Sequence, residues 1–61
     1  MACQVMITRE ENWFVATETS TNVASQGKSI IDALKNLKEA LELYYGDGGF
    51  QKNCSKFFEN F

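Results

Sequence analysis

Ser25-Gln26-Gly27-Lys28-Ser29 runs directly into Ile30-Ile31-Asp32-Ala33-Leu34-Lys35-Asn36-Leu37-Lys38-Glu39-Ala40-Leu41-Glu42-Leu43-Tyr44-Tyr45, and the reading of this stretch decides the fold. Ile30, Leu34, Leu37, Leu41 and Tyr44 recur at spacings of three and four, with Ala33 and Ala40 beside them. That spacing stacks an apolar stripe on one face of a helix, and the stripe is expected to be core. Ser29 stands where an N-cap belongs, Asp32 suits the positive N-terminal end, and Gly46 supplies the stop. At about 1.5 Å per residue the helix is about 24 Å long, enough to lie across a small sheet. Ile31, Leu43 and Tyr45 fall off the stripe and are candidates for an association surface.

The sheet is expected upstream. Cys3, Val5 and Ile7 alternate with Gln4, Met6 and Thr8, the period of a half-buried strand. Arg9-Glu10-Glu11-Asn12 is a turn, and Trp13 to Thr17 follows with aromatic and β-branched residues. Trp13 and Phe14 are adjacent, so one ring lies on each face of the sheet: one in the core, the other open to a partner. A hairpin alone is marginal. A third strand at about Val23 to Gln26, ended by Gly27, and the helix are needed to cover its apolar face.

The quoted stretch also carries a resemblance. Ser25-Gln26-Gly27, the small residue Ser29 and the run Ala33-Leu34-Lys35-Asn36-Leu37-Lys38-Glu39-Ala40-Leu41-Glu42-Leu43-Tyr44 resemble the signature of the HicB-like antitoxins, and the likeness spans about residues 4 to 45. The resemblance implies an α+β domain of three antiparallel strands packed by one amphipathic helix, a partial RNase H-like fold. It further implies a protein that binds and silences a HicA-like, mRNA-cleaving toxin. Two departures stand out. Thr21-Asn22-Val23 occupies the place of the family's Pro-Gly-Cys turn, where Asn22 can still take the left-handed backbone that glycine would. After the helix, the family's last strand and DNA-binding segment are replaced by a phenylalanine-rich tail.

In that tail Phe50, Cys54, Phe57, Phe58 and Phe61 fall at helical spacing, which predicts a short second helix. The division expected is therefore residues 1–46 as the β-β-β-α domain and 47–61 as a docking or association segment. Fully burying one phenylalanine is worth about 1.5–3 kcal/mol. Phe50, Phe57, Phe58 and Phe61 are accordingly expected to help form a homodimer, across the two-fold axis or by closing over the protein's own sheet beside it.

Composition narrows the functions. A chain of 61 residues is one domain, and one of that size buries only about 60% of its unfolded surface, so association is expected. Six basic against eight acidic residues leave no basic block for phosphate contacts, which argues against direct nucleic-acid binding. No apolar run approaches a membrane span, and nothing resembles a signal peptide, so a cytoplasmic chain is expected. In that compartment Cys3 and Cys54 read as free thiols, and with no histidine the usual zinc arrangements cannot be built within one chain.

Chemistry finds little support in the pattern. Glu10, Glu11, Glu18, Asp32, Glu39, Glu42, Asp47 and Glu59 fall mostly in turns or on the polar helix face and read as solvated surface. Two-metal nuclease chemistry needs carboxylates converging from strands, and Cys3 to Thr8 and Trp13 to Thr17 contain none. A serine or cysteine nucleophile would lack a histidine base. Gly46-Asp47-Gly48-Gly49 follows a helix and does not open a phosphate-binding one. The expectation is a binding protein with no catalytic residues, no metal and no cofactor. Its candidate contact residues are Trp13, Phe14, Asn22, Ile31 and Tyr45. The alternative is a stand-alone oligomeric module of the same fold, structural or regulatory, with no toxin partner.

Overall fold

The computed structural model describes residues 3–46 and 48–59. Three strands, β1 (Val5–Arg9), β2 (Phe14–Glu18) and β3 (Val23–Gly27), form an antiparallel sheet in the order β1-β2-β3. Helix α1 (Ile30–Tyr45) follows, then two short helices, α2 (Gly49–Asn53) and α3 (Ser55–Phe58). The α+β architecture expected from the sequence is the one present. In place of one short C-terminal helix there are two, interrupted at Cys54, whose backbone leaves helical geometry. Phe61 lies outside the described residues.

The register explains which residues point where. Val5 pairs with Glu18, Ile7 with Ala16 and Arg9 with Phe14, while Ala16 pairs with Ser25 and Phe14 with Gly27. Residues paired across a sheet share a face. One face therefore carries Val5, Ile7, Phe14, Ala16, Glu18, Val23 and Ser25, and α1 packs on it chiefly over β3 and secondarily over β2, leaving Ile7 exposed. Met6, Thr8, Val15, Thr17, Ala24 and Gln26 occupy the opposite face, over which no described element packs.

Alternation also sorts the backbone groups. Thr19 N–H donates to Gln4 O and Glu10 N–H to Trp13 O, so the even-numbered residues of β1 face β2. The N–H and C=O groups of Val5, Ile7 and Arg9 are then left on the β1 edge, and those of Ala24 and Gln26 on the β3 edge. Asn36 on α1 reaches the second edge and donates its Nδ2–H to Gln26 O at 2.8 Å.

Helix α1 begins and ends as its sequence dictates. Ser29 is extended (φ −135°, ψ 168°), and its Oγ accepts from Asp32 N–H at 3.1 Å. Gly46 has φ 77° and its N–H donates to Glu42 O, a left-handed stop open to glycine at little cost. Gly27 is required for a different reason: a Cβ there would stand 2.7 Å from Asp32 Cβ and collide with the Ala33 backbone nitrogen. Its missing side chain lets β3 turn tightly into the helix.

The apolar stripe is core only in its middle. Ala33, Leu34, Leu37 and Leu41 are buried with Ala16, Phe50, Cys54 and Phe58, whereas Ile30 and Tyr44, expected in the core, are exposed. Length accounts for the difference. Strands of five residues span about 17 Å, so a helix of about 24 Å overhangs the sheet at both ends. Tyr45, expected off the stripe, instead packs against the core. The chain returns beside it, with Gly49 so near that a Cβ would lie 2.6 Å from Tyr45 Cδ1.

Cys3 and Cys54 are bonded to each other, with Cα atoms 5.0 Å apart and a sequence separation of 51. This corrects the expectation of free thiols. The bond ties the start of β1 to the junction of α2 and α3, and Phe50 and Phe58, on either side of Cys54, stack at 5.8 Å in the core. Closing a loop of that size stabilises by about 4 kcal/mol in the chain-entropy account. Two helices of five and four residues could not persist without such anchoring.

Candidate partner-binding surface

The two ends of the sheet differ in chemistry. The β1–β2 turn and the β3–α1 junction lie at one end, where Asn12, Trp13, Gln26, Gly27 and Lys28 line a shallow hollow of about 300 Å³. Trp13 is 39% exposed there. Ile30 and Ile31, both exposed, stand at the start of α1 beside this junction. The hollow thus combines a large ring, a lysine and backbone near a bare glycine, with two isoleucines at the same end of the molecule.

The candidate contact residues divide accordingly. Trp13 and Ile31 belong to this end. Phe14 is half-buried and packs against the core, as does Tyr45, so neither offers a free ring. Asn22 lies at the opposite end, exposed in the β2–β3 turn with φ 63°, the left-handed conformation expected of it. Of the phenylalanines, Phe50 and Phe58 fill the protomer's own core, while Phe57 is exposed and meets the Phe58 ring edge-on at 4.9 Å.

The opposite end holds a buried anion. Glu18 is wholly inaccessible, which corrects its reading as solvated surface. Its Oε1 accepts from Thr21 N–H at 2.8 Å and Thr21 Oγ1–H at 2.9 Å. Its Oε2 accepts from Gln4 N–H at 3.0 Å and Ser20 Oγ–H at 2.9 Å. Burial pushes the carboxyl up, but the hydrogen bonds from Gln4, Thr21 and Ser20 outweigh it and hold the pKa at about 2. A glutamate ending a strand and followed by Ser20 and Thr21 is the local signal for such a turn. In the run Glu18-Thr19-Ser20-Thr21-Asn22 that signal is hidden by the general polarity of a loop.

Cys3, Glu18 and Cys54 come together, their donor atoms all within 4.8 Å of one another. The fold brings residues 3, 18 and 54 to one point, a grouping that no spacing in the sequence announces. The four donors on Glu18 already occupy both carboxylate oxygens, and the sulfurs are spent on each other, so the arrangement as it stands is a structural clamp.

Among the described residues, no helix is long and apolar enough to cross a membrane. No solved structure matches the chain significantly. A "UPF0150 protein" of Helicobacter pylori (strain J99) is 44% identical over 48 residues, which cover 77% of this chain and 67% of the relative. Residues 3–55, nearly all of the described fold, match a family of unknown function (DUF7387), and the chain is a member of that family.

Proposed function

We propose that this chain is an antitoxin-like binding protein that neutralises a small, basic, HicA-type ribonuclease by occlusion. The observation that carries the reading is the sheet end at Trp13, where an exposed ring lines a hollow and two isoleucines at the start of α1 are also exposed. A shape-matched protein could bury these at a cost the free chain already bears. The likeness of residues 4 to 45 to HicB-like antitoxins and the acidic balance of the chain support a basic protein as the occupant. Its mechanism is stoichiometric binding without catalysis, and its place of action is the cytoplasm, where mRNA-cleaving toxins work.

The test is co-purification with a HicA-type toxin and inhibition of that toxin's RNA cleavage. Inhibition should titrate to completion at a fixed ratio, be unmoved by EDTA, and be lost with Trp13→Ser combined with Ile31→Ser while the fold persists. Substoichiometric inhibition, or the double variant binding as well as the parent, would overturn the reading.

A homodimer is the second proposal, and the exposed β1 edge favours it. Met6 and Ile7 are both exposed there, and the strand has no proline or lysine to discourage pairing. Light scattering across a dilution series decides this, a monomer at every concentration being the negative result.

A further inference from the structure

We propose that Cys3 is a thiol-exchange site guarded by Glu18: a small thiol of the glutathione class opens the Cys3–Cys54 bridge by attack on the Cys3 sulfur, and so unfastens the C-terminal helices.

Three observations carry this. Access is one-sided, because Cys3 is half-buried while Cys54 is only 1% exposed. A thiolate from solvent therefore meets Cys3 Sγ first. Charge is the second. Glu18 is an anion with no solvent around it, its carboxylate within 4.8 Å of both sulfurs. It repels an incoming thiolate and disfavours the negative charge that must develop on the departing Cys54 sulfur, and both effects slow exchange. Placement is the third. Cys54 separates α2 from α3 and sits between the buried Phe50 and Phe58, so the bridge is the only covalent hold, beyond the chain itself, on two helices too short to stand alone.

In the exchange, the thiolate sulfur forms a bond to Cys3 Sγ as the Cys3–Cys54 bond breaks, and the electron pair leaves on Cys54 Sγ, which takes a proton from water. A second thiolate then attacks the small-molecule sulfur of the mixed disulfide and releases Cys3 as a thiolate, which is protonated in turn. Two small thiols are oxidised to one disulfide while the protein bridge is reduced to two thiols. The first product, before the second step, is a chain carrying the small thiol on Cys3.

The experiment begins with the air-oxidised full chain. It is exposed to glutathione, quenched with iodoacetamide, and mapped by peptide mass. The expected early product has glutathione on Cys3 and the alkyl group on Cys54, and hydrogen exchange should quicken in residues 49–58 as it accumulates. Glu18→Gln should open roughly ten times faster. A variant-free measurement stands beside it, since Glu18→Gln also disturbs the turn. Cationic cysteamine should open the native bridge faster than anionic 2-mercaptoethanesulfonate by a ratio several-fold larger than the two show with a neutral model disulfide, and salt should shrink the excess. Glutathione first on Cys54, a charge-blind ratio, or two free thiols in the air-oxidised chain would each overturn the proposal.

Discussion

Replacing Glu18 with glutamine removes a buried charge without changing side-chain size, and the expected consequence is a change in how stability depends on pH. The carboxyl has a pKa of about 2 in the folded chain against an ordinary value of 4.5. A folded-state value below the unfolded one means that the unfolded chain binds the proton more readily. The stabilisation is therefore fully present above about pH 4.5 and is lost as pH falls toward 2. At about 1.36 kcal/mol per pKa unit the gap corresponds to about 3 kcal/mol, a large share of what so small a domain has to spare. The assay is urea denaturation followed by circular dichroism, at intervals from pH 7 to pH 2, on the parent and on Glu18→Gln. The parent should be the more stable at neutral pH, and its advantage should narrow by about 3 kcal/mol, most of it between pH 4.5 and pH 2. An advantage that stays constant across that range would show that the four hydrogen bonds do not depend on the charge and would refute the reasoning.

Three further outcomes follow from the packing. Leu37→Ala and Leu41→Ala, both wholly buried beneath α1, should each destabilise by about 2–5 kcal/mol in urea denaturation. Gly27→Ala should destabilise by more than 1 kcal/mol, because its methyl would meet backbone at Ala33 and the Asp32 side chain only 2.7 Å away. A melting temperature equal to the parent's would remove the close approach. Ser29→Ala should cost about 0.5–2 kcal/mol and Ser29→Asp much less, since aspartate can accept the same Asp32 N–H bond.

What was legible in the sequence was what depends on local spacing. The boundaries of α1, its Ser29 cap, the Gly46 stop, the left-handed Asn22 and the face assignment of Phe14 and Ala16 all follow from residues within four positions of one another. The errors share the opposite property. Cys3 and Cys54 meet only because β1 and the α2–α3 junction are folded together, and a sequence separation of 51 leaves no spacing to read. Ile30 and Tyr44 obey the helical period perfectly well, but the period says nothing about where the sheet beneath them ends. Glu18 belongs to both categories. Its Ser20 and Thr21 donors are local, whereas its burial comes from Gln4 across the hairpin and from the bridge beside it. For the candidate surface, Trp13 stands out by its adjacency to Phe14 and Ile31 by lying off the helix stripe, whereas the hollow between Trp13 and Lys28 has no sequence signal because it forms where two turns meet.

The hydrogen bond from Asn36 to Gln26 has a consequence for size. Of the two sheet edges, β3 has its Gln26 carbonyl already claimed by the helix, and β1 has none of its outward groups claimed by a strand. Strand addition is therefore freer at β1, while β3 keeps the Ala24 groups and the Gln26 N–H open. A second copy pairing on β1 would give a six-stranded sheet bounded on both sides by β3, whose edge the helix has already claimed in part. The side chain of Asn36 thus sets the two edges apart, so that recruiting one copy through β1 would not by itself offer the next copy an equal edge.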